Sequence, residues 1–279
     1  MLHAFAAVRK KALQCQGDIS SQARGQRQMR LTERGAGERI QSMSVAPPAR
    51  TTQGMNLRLS PDLQDRVLLG AITAEGIRVR AEAPAVWAAI ERVAEVYRRR
   101  FAGKAPGEIA ELQAARELYR RTGEDPTKLR PSSEALLRRV LRGESLYHVN
   151  ALVDTCNLCS LEFLLPIGLY DLDQISGGVT ARLGHPGEAY ESLGKGRYAV
   201  EGRLALFDDR GPFGSPTNDS RRTAITEASR RCLMVIFAPA RYPRDDLLAH
   251  LRTASDHLRN LVGAGGMETA VIGAPGPES

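Results

Sequence analysis

Apolar residues recur at helical spacing in the first half of the chain. After Pro84, five apolar residues fall on one face of a helix that would end near Gly103: Val86, Ile90, Val93, Tyr97 and Phe101. Proline suits the first turn of a helix because the N–H groups there are unpaired anyway, and glycine suits the stop. The pattern therefore predicts a helix from Pro84 to about Gly103.

Four further segments have a helical pattern. They lie near 108–121, 132–143, 149–164 and 243–263. Ser132 or Ser133 is a candidate N-cap for the second of these, and Thr226 could cap a further helix beginning at Glu227.

Alternating and β-branched residues dominate two other stretches. VLLGAITAEGIRVR (67–80) is typical of an extended pair turning at Glu75-Gly76. After Pro166 come short segments separated by glycine-containing turns, among them the apolar run CLMVIFAP (232–239). Helices first, a mainly antiparallel sheet next and a helix last indicate an α+β fold.

Charge is unevenly distributed. The chain of 279 residues has a net charge of +7, but residues 1–54 alone hold nine Lys/Arg and three Asp/Glu, which leaves +1 for the rest. We interpret 1–54 as a disordered basic leader, either a nucleic-acid-binding tail or a segment not translated because synthesis starts at Met55. Residues 55–265 are expected to form one domain and 266–279 a disordered tail.

The remaining composition restricts the chemistry. No apolar run is long enough to span a membrane. Cys156 and Cys159 form a C-x-x-C, but a zinc site lacks two further ligands, His148 being the only close candidate. A redox pair is the second interpretation, and small buried thiols in a reducing cytoplasm the favoured one. We expect a cytoplasmic protein with neither metal nor cofactor.

Small polar residues are concentrated ahead of the last apolar run. The segment GPFGSPTNDSRRTAIT (211–226) cannot form a core. Its residues could build an Asx turn and cap the chain that follows. Alternatively, they could line a pocket for a polar small molecule, together with Asn157 and Ser160, which lie one helical turn apart.

Several short pieces carry a family resemblance. VNALVDTCN (149–157), LPIGLYDLDQISGGV (165–179), Ala181-Arg182, Gly187-Glu188 and NDSRRTAIT (218–226) resemble the B3/B4 domain of the phenylalanyl-tRNA synthetase β subunit. The similarity to freestanding B3/B4 proteins is closer still, and it covers roughly residues 60–240. The resemblance implies the α+β B3/B4 fold, a mainly antiparallel sheet flanked by helices. It also implies an editing-like activity, the hydrolysis of a wrongly charged transfer RNA.

Only some of the family's site residues are found at the matching positions of this chain. The family's Asn falls on Asn157, but the Thr before it falls on Cys156, a His falls on Gly168 and a Glu falls near Ala224. The resemblance therefore argues against editing of tyrosine by the same contacts. It leaves ester hydrolysis possible, because an aminoacyl ester is already activated and a positioned water with oriented donors can suffice.

These observations lead to one function hypothesis with two rivals. The first is a metal-independent hydrolase of aminoacyl-tRNA or a related aminoacyl ester, which would bind the tRNA 3′ end. The second is a binding module without turnover, and the third is a hydrolase of an unrelated ester or amide. The sequence does not determine an oligomeric state. The expected catalytic residues are Asn157, Glu188 and Asp219, and the expected substrate-binding residues are Ser160, Arg182, Asn218, Ser220, Arg222, Thr223 and Thr226.

Overall fold

The computed structural model describes residues 56–194 and 196–273. Within these ranges lie five α-helices, which we number α1 to α5: Pro84–Arg100, Gln113–Arg121, Ser132–Leu141, Ala151–Phe163 and Arg244–Val262. Ten strands are numbered β1 to β10: Leu57–Leu59, Val67–Glu75, Ile167–Asp171, Val179–Leu183, Ala189–Ser192, Gly196–Ala199, Leu204–Asp208, Gly211–Gly214, Arg231–Pro239 and Met267–Ile272.

A four-stranded antiparallel sheet in the order β10-β2-β9-β3 lies at the centre. Strands β2 and β9 pair along all nine residues. Strand β9 is buried over almost its whole length, which explains why CLMVIFAP is apolar without a break: both faces of this strand are covered.

The two faces of the central sheet pack against different layers. Leu68 and Ile72 of β2 belong to a core shared with the helices, whereas Leu69 and Ala71 belong to a core shared with the second sheet. This division follows from the two-residue period of a strand. The architecture is a layer of helices, the central sheet and a second sheet.

The second sheet has the order β1-β4-β7-β8. Its β1–β4 pairing is parallel, whereas β4–β7 and β7–β8 are antiparallel. Strands β5 and β6 form a separate antiparallel hairpin. The predicted α+β class, with mainly antiparallel sheets flanked by helices, is confirmed. In the described part of the chain, no helix has the length and apolar character needed to cross a membrane.

The chain end departs from expectation. Residues 266–279 were expected to be disordered, but Met267–Ile272 forms β10 and pairs with β2 over all six residues. The reason is that β2 would otherwise be an edge strand with unpaired backbone groups. The expected domain boundary at 265 would therefore separate β10 from the sheet to which it belongs. Residues 274–279 and the expected leader 1–54 lie outside the described residues.

Three local predictions were wrong. Residues 77–80 do not return as a strand after Gly76, because Ile77 and Arg78 instead donate their backbone N–H groups to Arg230 and Val262. Neither predicted serine caps α3, which has Pro131 at its N-cap position and no side-chain cap. No helix begins at residue 227, where the chain forms a turn instead.

Candidate functional site

A cavity of about 190 Å³ opens between α4, β3 and the segments that follow β5 and β8. Its lining is mostly apolar, with seven apolar and three polar residues. The apolar ones are Val149, Val153, Cys156, Leu169, Leu193, Ala224 and Ile225, and the polar ones are Asn157, Asp219 and Thr226. An apolar pocket with a few oriented polar groups is the usual form of a small-molecule site.

Helix α4 supplies one wall of this cavity. The Asn150 side chain caps the helix by accepting a hydrogen bond of 2.9 Å from the Val153 backbone N–H. Val153, Cys156 and Asn157 lie within one helical turn and share a face. That face is presented to the cavity, with Asn157 only half-buried.

The opposite wall is held by Asp171 at the end of β3. Its Oδ2 accepts a hydrogen bond of 2.6 Å from Ser229 Oγ, and its Oδ1 accepts one of 3.0 Å from the Asp173 N–H. Ser229 Oγ in turn accepts a hydrogen bond of 3.0 Å from the Thr226 N–H. This chain of hydrogen bonds ties the 224–226 segment to the sheet and so sets the position of Thr226 at the cavity.

Asp219 contributes the only described carboxylate that lines the cavity. Its backbone is fixed by a bridge to Gly214 and by a hydrogen bond of 3.0 Å that its carbonyl accepts from the Leu193 N–H. Its side chain is buried, and among the described residues its Oδ1 has no hydrogen-bond partner. Burial raises the pKa of Asp219 to about 7, although the Tyr170 hydroxyl and the Leu169 backbone act in the opposite direction.

Tyr170 lies behind Asp219 in a site made by two glycines. A Cβ at Gly168 would come within 2.0 Å of the Tyr170 hydroxyl, and one at Gly214 within 2.3 Å of its ring. The hydroxyl is buried and close to Asp219, but within the described chain it makes no hydrogen bond of normal geometry. Gly168 is the position where the family resemblance places a His, so in this protein the tyrosine hydroxyl occupies the space that a side chain there would need.

Glu188 and Arg182 were predicted to be site residues, but neither lines the cavity. They form a two-fold ion pair with each other, with Nη1–Oε2 and Nη2–Oε1 distances of 2.8 and 2.6 Å. Glu188 Oε2 also accepts a hydrogen bond from the His185 N–H, and the guanidinium of Arg182 stacks on Phe207. These contacts brace the turn between β4 and β5.

Arg222 is likewise held in an internal ion pair. Its guanidinium forms a two-fold ion pair with Asp208, with distances of 2.8 and 2.9 Å, and the Asp208 side chain is fully buried. It therefore ties the 219–223 segment to β7 and does not face the cavity lining described above.

The remaining predicted residues make internal hydrogen bonds. Ser160 Oγ donates to the Leu165 carbonyl, and the Ser220 and Thr223 hydroxyls bond each other at 2.9 Å. The Asn218 carbonyl accepts a hydrogen bond of 2.6 Å from the Tyr190 hydroxyl. Of the ten predicted site residues, the cavity brings together only Asn157, Asp219 and Thr226. In the 218–223 run, Ser220 Oγ also accepts a hydrogen bond of 3.3 Å from the Thr223 N–H and so holds a turn.

A polar cluster that was not predicted from the sequence lies beside the cavity. Asp154 Oδ2 accepts a hydrogen bond of 2.7 Å from Trp87 Nε1 and lies 3.8 Å from His148 Nδ1. The rings of Trp87 and His148 are 4.3 Å apart, and Val149, next to His148, lines the cavity. The positions of His148 and Asp154 in the sequence did not indicate this cluster, because its third member, Trp87, belongs to a helix that is distant along the chain.

The three described cysteines, Cys156, Cys159 and Cys232, are buried, as the favoured interpretation predicted. Burial raises the pKa of both Cys156 and Cys159, the opposite of what a reactive thiol needs. No three His, Cys, Asp or Glu side chains of the described ranges are grouped as a metal ion would require.

Comparisons with known proteins place this site in a family. The model of the B3/4 domain matches residues 114–257, which include all ten residues that line the cavity. The phenylalanine–tRNA ligase beta subunit of Ralstonia nicotianae is 39% identical over 61 residues, a segment that covers 22% of this chain and 8% of that protein.

A solved structure is also similar, though distantly. It is an N-terminal fragment of the phenylalanyl-tRNA synthetase beta-subunit from Pyrococcus horikoshii, with 12% identity and a TM-score of 0.37, and the match covers 78% of this chain and 50% of that one. The family model, by contrast, matches more than half of the chain. The chain therefore belongs to the B3/4 domain family.

Proposed function

We propose that this protein hydrolyses an aminoacyl ester, either aminoacyl-tRNA or a related compound, in the cavity that contains Asp219. The observation that carries the proposal is a buried carboxylate in an apolar cavity, with the Tyr170 hydroxyl beside it and with one oxygen that has no hydrogen bond of normal geometry among the described residues. An unpaired buried acceptor is costly, so a protein retains one mainly where a ligand or water satisfies it. The similarity of a 61-residue segment to a phenylalanine–tRNA ligase beta subunit supports aminoacyl-tRNA as the substrate class.

The shape and lining of the cavity suit an aminoacyl group. Its apolar wall would bury an apolar amino-acid side chain, and Asn157 and Thr226 would orient the polar part of the substrate. The cavity is small, at about 190 Å³. It would therefore hold the amino acid and the adjacent sugar edge, with the rest of the RNA outside.

Asp219 has the acidity of a general base at neutral pH. With a pKa of about 7, it is ionised in roughly half of the molecules at that pH and takes up a proton readily. Water bound to its free oxygen would attack the ester carbonyl carbon while its proton passes to the carboxylate. The C–O ester bond then breaks, and the proton moves from Asp219 to the leaving ribose oxygen.

Asn157 would stabilise the negative charge that develops on the carbonyl oxygen. Its side chain is half-buried on the cavity face of α4, where an amide N–H can donate a hydrogen bond to that oxygen. Glu188 has no place in this scheme, because its carboxylate is already paired with Arg182.

A binding module without turnover is the alternative that one observation favours. Only three polar side chains line the cavity, while Glu188, Arg182 and Arg222 are fully used in ion pairs. Such a site could hold an amino acid or a tRNA end without activating water.

A deacylation assay with the full chain separates the two functions. The protein would be offered a panel of correctly and wrongly charged tRNAs, and the release of free amino acid would be followed. We expect release above the buffer rate, and a loss of at least about tenfold in kcat for Asp219→Asn, equivalent to about 1.4 kcal/mol of transition-state stabilisation.

The control for that assay is Asp65→Asn. It removes the same charge at a side chain that is 85% exposed and away from the cavity. If charged tRNA is retained without release, the binding module is correct. Equal activity of the wild type and Asp219→Asn would remove Asp219 from the mechanism.

A further inference from the structure

A second cavity, of about 240 Å³, lies between α2, α3 and the loop that joins them. Its lining is dominated by positive charge, because four arginines surround a single carboxylate. The lining residues are Arg116, Arg120, Arg130, Arg138, Glu134, Pro126 and Thr127. We refer to it as the arginine cavity.

The one carboxylate of the arginine cavity is shared by three guanidinium groups. Glu134 has a side chain that is 3% exposed, and Arg116 binds it with two hydrogen bonds of 2.8 and 2.9 Å. The Nε atoms of Arg138 and Arg130 lie 3.2 and 3.8 Å from the same Oε1. One carboxylate balances one guanidinium, so the other two are held close without a full counter-charge.

Two further observations show that positive charge is left over. Arg138 Nε is buried and, within the described chain, has no hydrogen-bond acceptor of normal geometry. Arg120 is exposed at the rim, and no ion pair involving it is found among the described residues. Four arginines against one glutamate leave the lining with a net charge of +3.

Neighbouring acids do not remove this excess. Glu117 is paired with Arg121 at 2.7 Å, and Asp125 lies 4.0 Å from Lys128 and accepts hydrogen bonds from Thr127. Each of these carboxylates therefore has a base of its own outside the cavity lining. A concave site with unbalanced guanidinium groups attracts an anion.

We propose that the arginine cavity binds a phosphate group. Phosphate offers several strong acceptor oxygens, and the planar fork of donors on each guanidinium matches them. Arg120 and Arg130 would donate to those oxygens, while Glu134 keeps the Arg116 and Arg138 side chains in position.

The phosphate belongs to the backbone of the RNA whose acylated end would enter the first cavity, and to this extent the inference rests on the proposed function. Two contacts connect the sites. Helix α3 packs against α4, which forms a wall of the first cavity. The Tyr119 hydroxyl of α2 also donates a hydrogen bond of 3.0 Å to the Pro216 carbonyl, three residues before Asp219.

Binding to uncharged tRNA and to inorganic phosphate tests the inference without any turnover. The test variant is Arg120→Gln/Arg130→Gln, whose side chains are exposed enough to be changed without unfolding the protein. The matched control is Arg98→Gln/Arg99→Gln, which removes two arginines from the end of α1, where each has a glutamate partner.

We expect the test variant to bind tRNA about tenfold more weakly than the wild type, whereas the Arg98→Gln/Arg99→Gln control binds as the wild type does. The slope of log K against log salt should also fall by about one, as for the loss of one phosphate contact. If the affinity for inorganic phosphate falls but the affinity for tRNA does not, the arginine cavity binds a small phosphate anion, and the assignment to the RNA backbone is wrong. The inference is overturned if neither affinity changes or if both arginine pairs reduce binding equally. Because the binding of uncharged tRNA is measured without turnover, failure of the proposed function would be seen separately, in the deacylation assay.

Discussion

Replacing Asp219 with Asn should change the way in which the stability of the protein depends on pH. The wild-type carboxyl is buried, and its pKa is raised from 3.8 to about 7 by the loss of solvent. Because the folded state holds this proton more tightly than the unfolded chain, folding is favoured at low pH and becomes weaker as pH rises from about 4 to about 7. Above pH 7 the effect is constant.

The size of the effect follows from the difference between the two pKa values. A shift of about three units at about 1.4 kcal/mol per unit means that ionised Asp219 lowers the free energy of unfolding by about 4 kcal/mol above pH 7. Between about pH 5 and pH 8, where the protein can be studied conveniently, about 2–3 kcal/mol of this change occurs. Asparagine has a similar shape and cannot ionise, so the variant lacks this dependence.

Urea unfolding of both proteins at several pH values measures the difference directly. The single tryptophan, Trp87, lies on α1 in the helical core and provides a fluorescence signal, with far-UV circular dichroism as a second probe. The stability of the variant relative to the wild type should rise by about 2–3 kcal/mol from pH 5 to pH 8. Asp65→Asn, at an exposed position, controls for the loss of charge.

A difference that stays within about 1 kcal/mol over this range would refute the reasoning. It would mean that Asp219 is ionised at little cost and that its pKa lies close to the ordinary value of an aspartate. The proposed general base would then lose its physical basis.

Two further predictions concern residues around the site. Gly168→Ala should lower the free energy of unfolding by about 1–3 kcal/mol, because its Cβ would overlap the Tyr170 hydroxyl, and combining it with Tyr170→Phe should cost less than the sum of the two changes; additive effects in urea unfolding would contradict this. Glu188→Gln should lower stability at neutral pH and leave deacylation within about twofold of wild type. Pairing with Arg182 lowers the pKa of Glu188 to about 2, so its contribution is present above about pH 4.5 and is lost as pH falls towards 2; thermal unfolding at several pH values would show it, and a large loss of activity would return Glu188 to the catalytic group.

Periodicity predicted most of the elements correctly, because local spacing controls which faces can be buried. The helices from Pro84 and near 149–164 and 243–263 appear as α1, α4 and α5 with boundaries shifted by a few residues. The failures occur where long-range pairing decides the outcome. Residues 77–80 have a strand-like composition, but their backbone bonds to distant residues, and Met267–Ile272 becomes a strand because β2 offers a free edge.

The candidate site divides in the same way. The resemblance pointed to Cys156, Asn157 and Ala224, and all three line the cavity. By contrast, the sequence could not show that Glu188 is paired with Arg182 or that Arg222 is paired with Asp208, since each pairing depends on which strands meet.

By itself, then, the sequence determined the α+β class, the family and the helix face that carries Asn157, because these depend on local spacing and short motifs. Only the tertiary structure decided which polar groups are used internally and which face a cavity. Burial and partners are properties of the packed layers. The free oxygen of Asp219 and the surplus charge around Glu134 exist only after distant segments have come together.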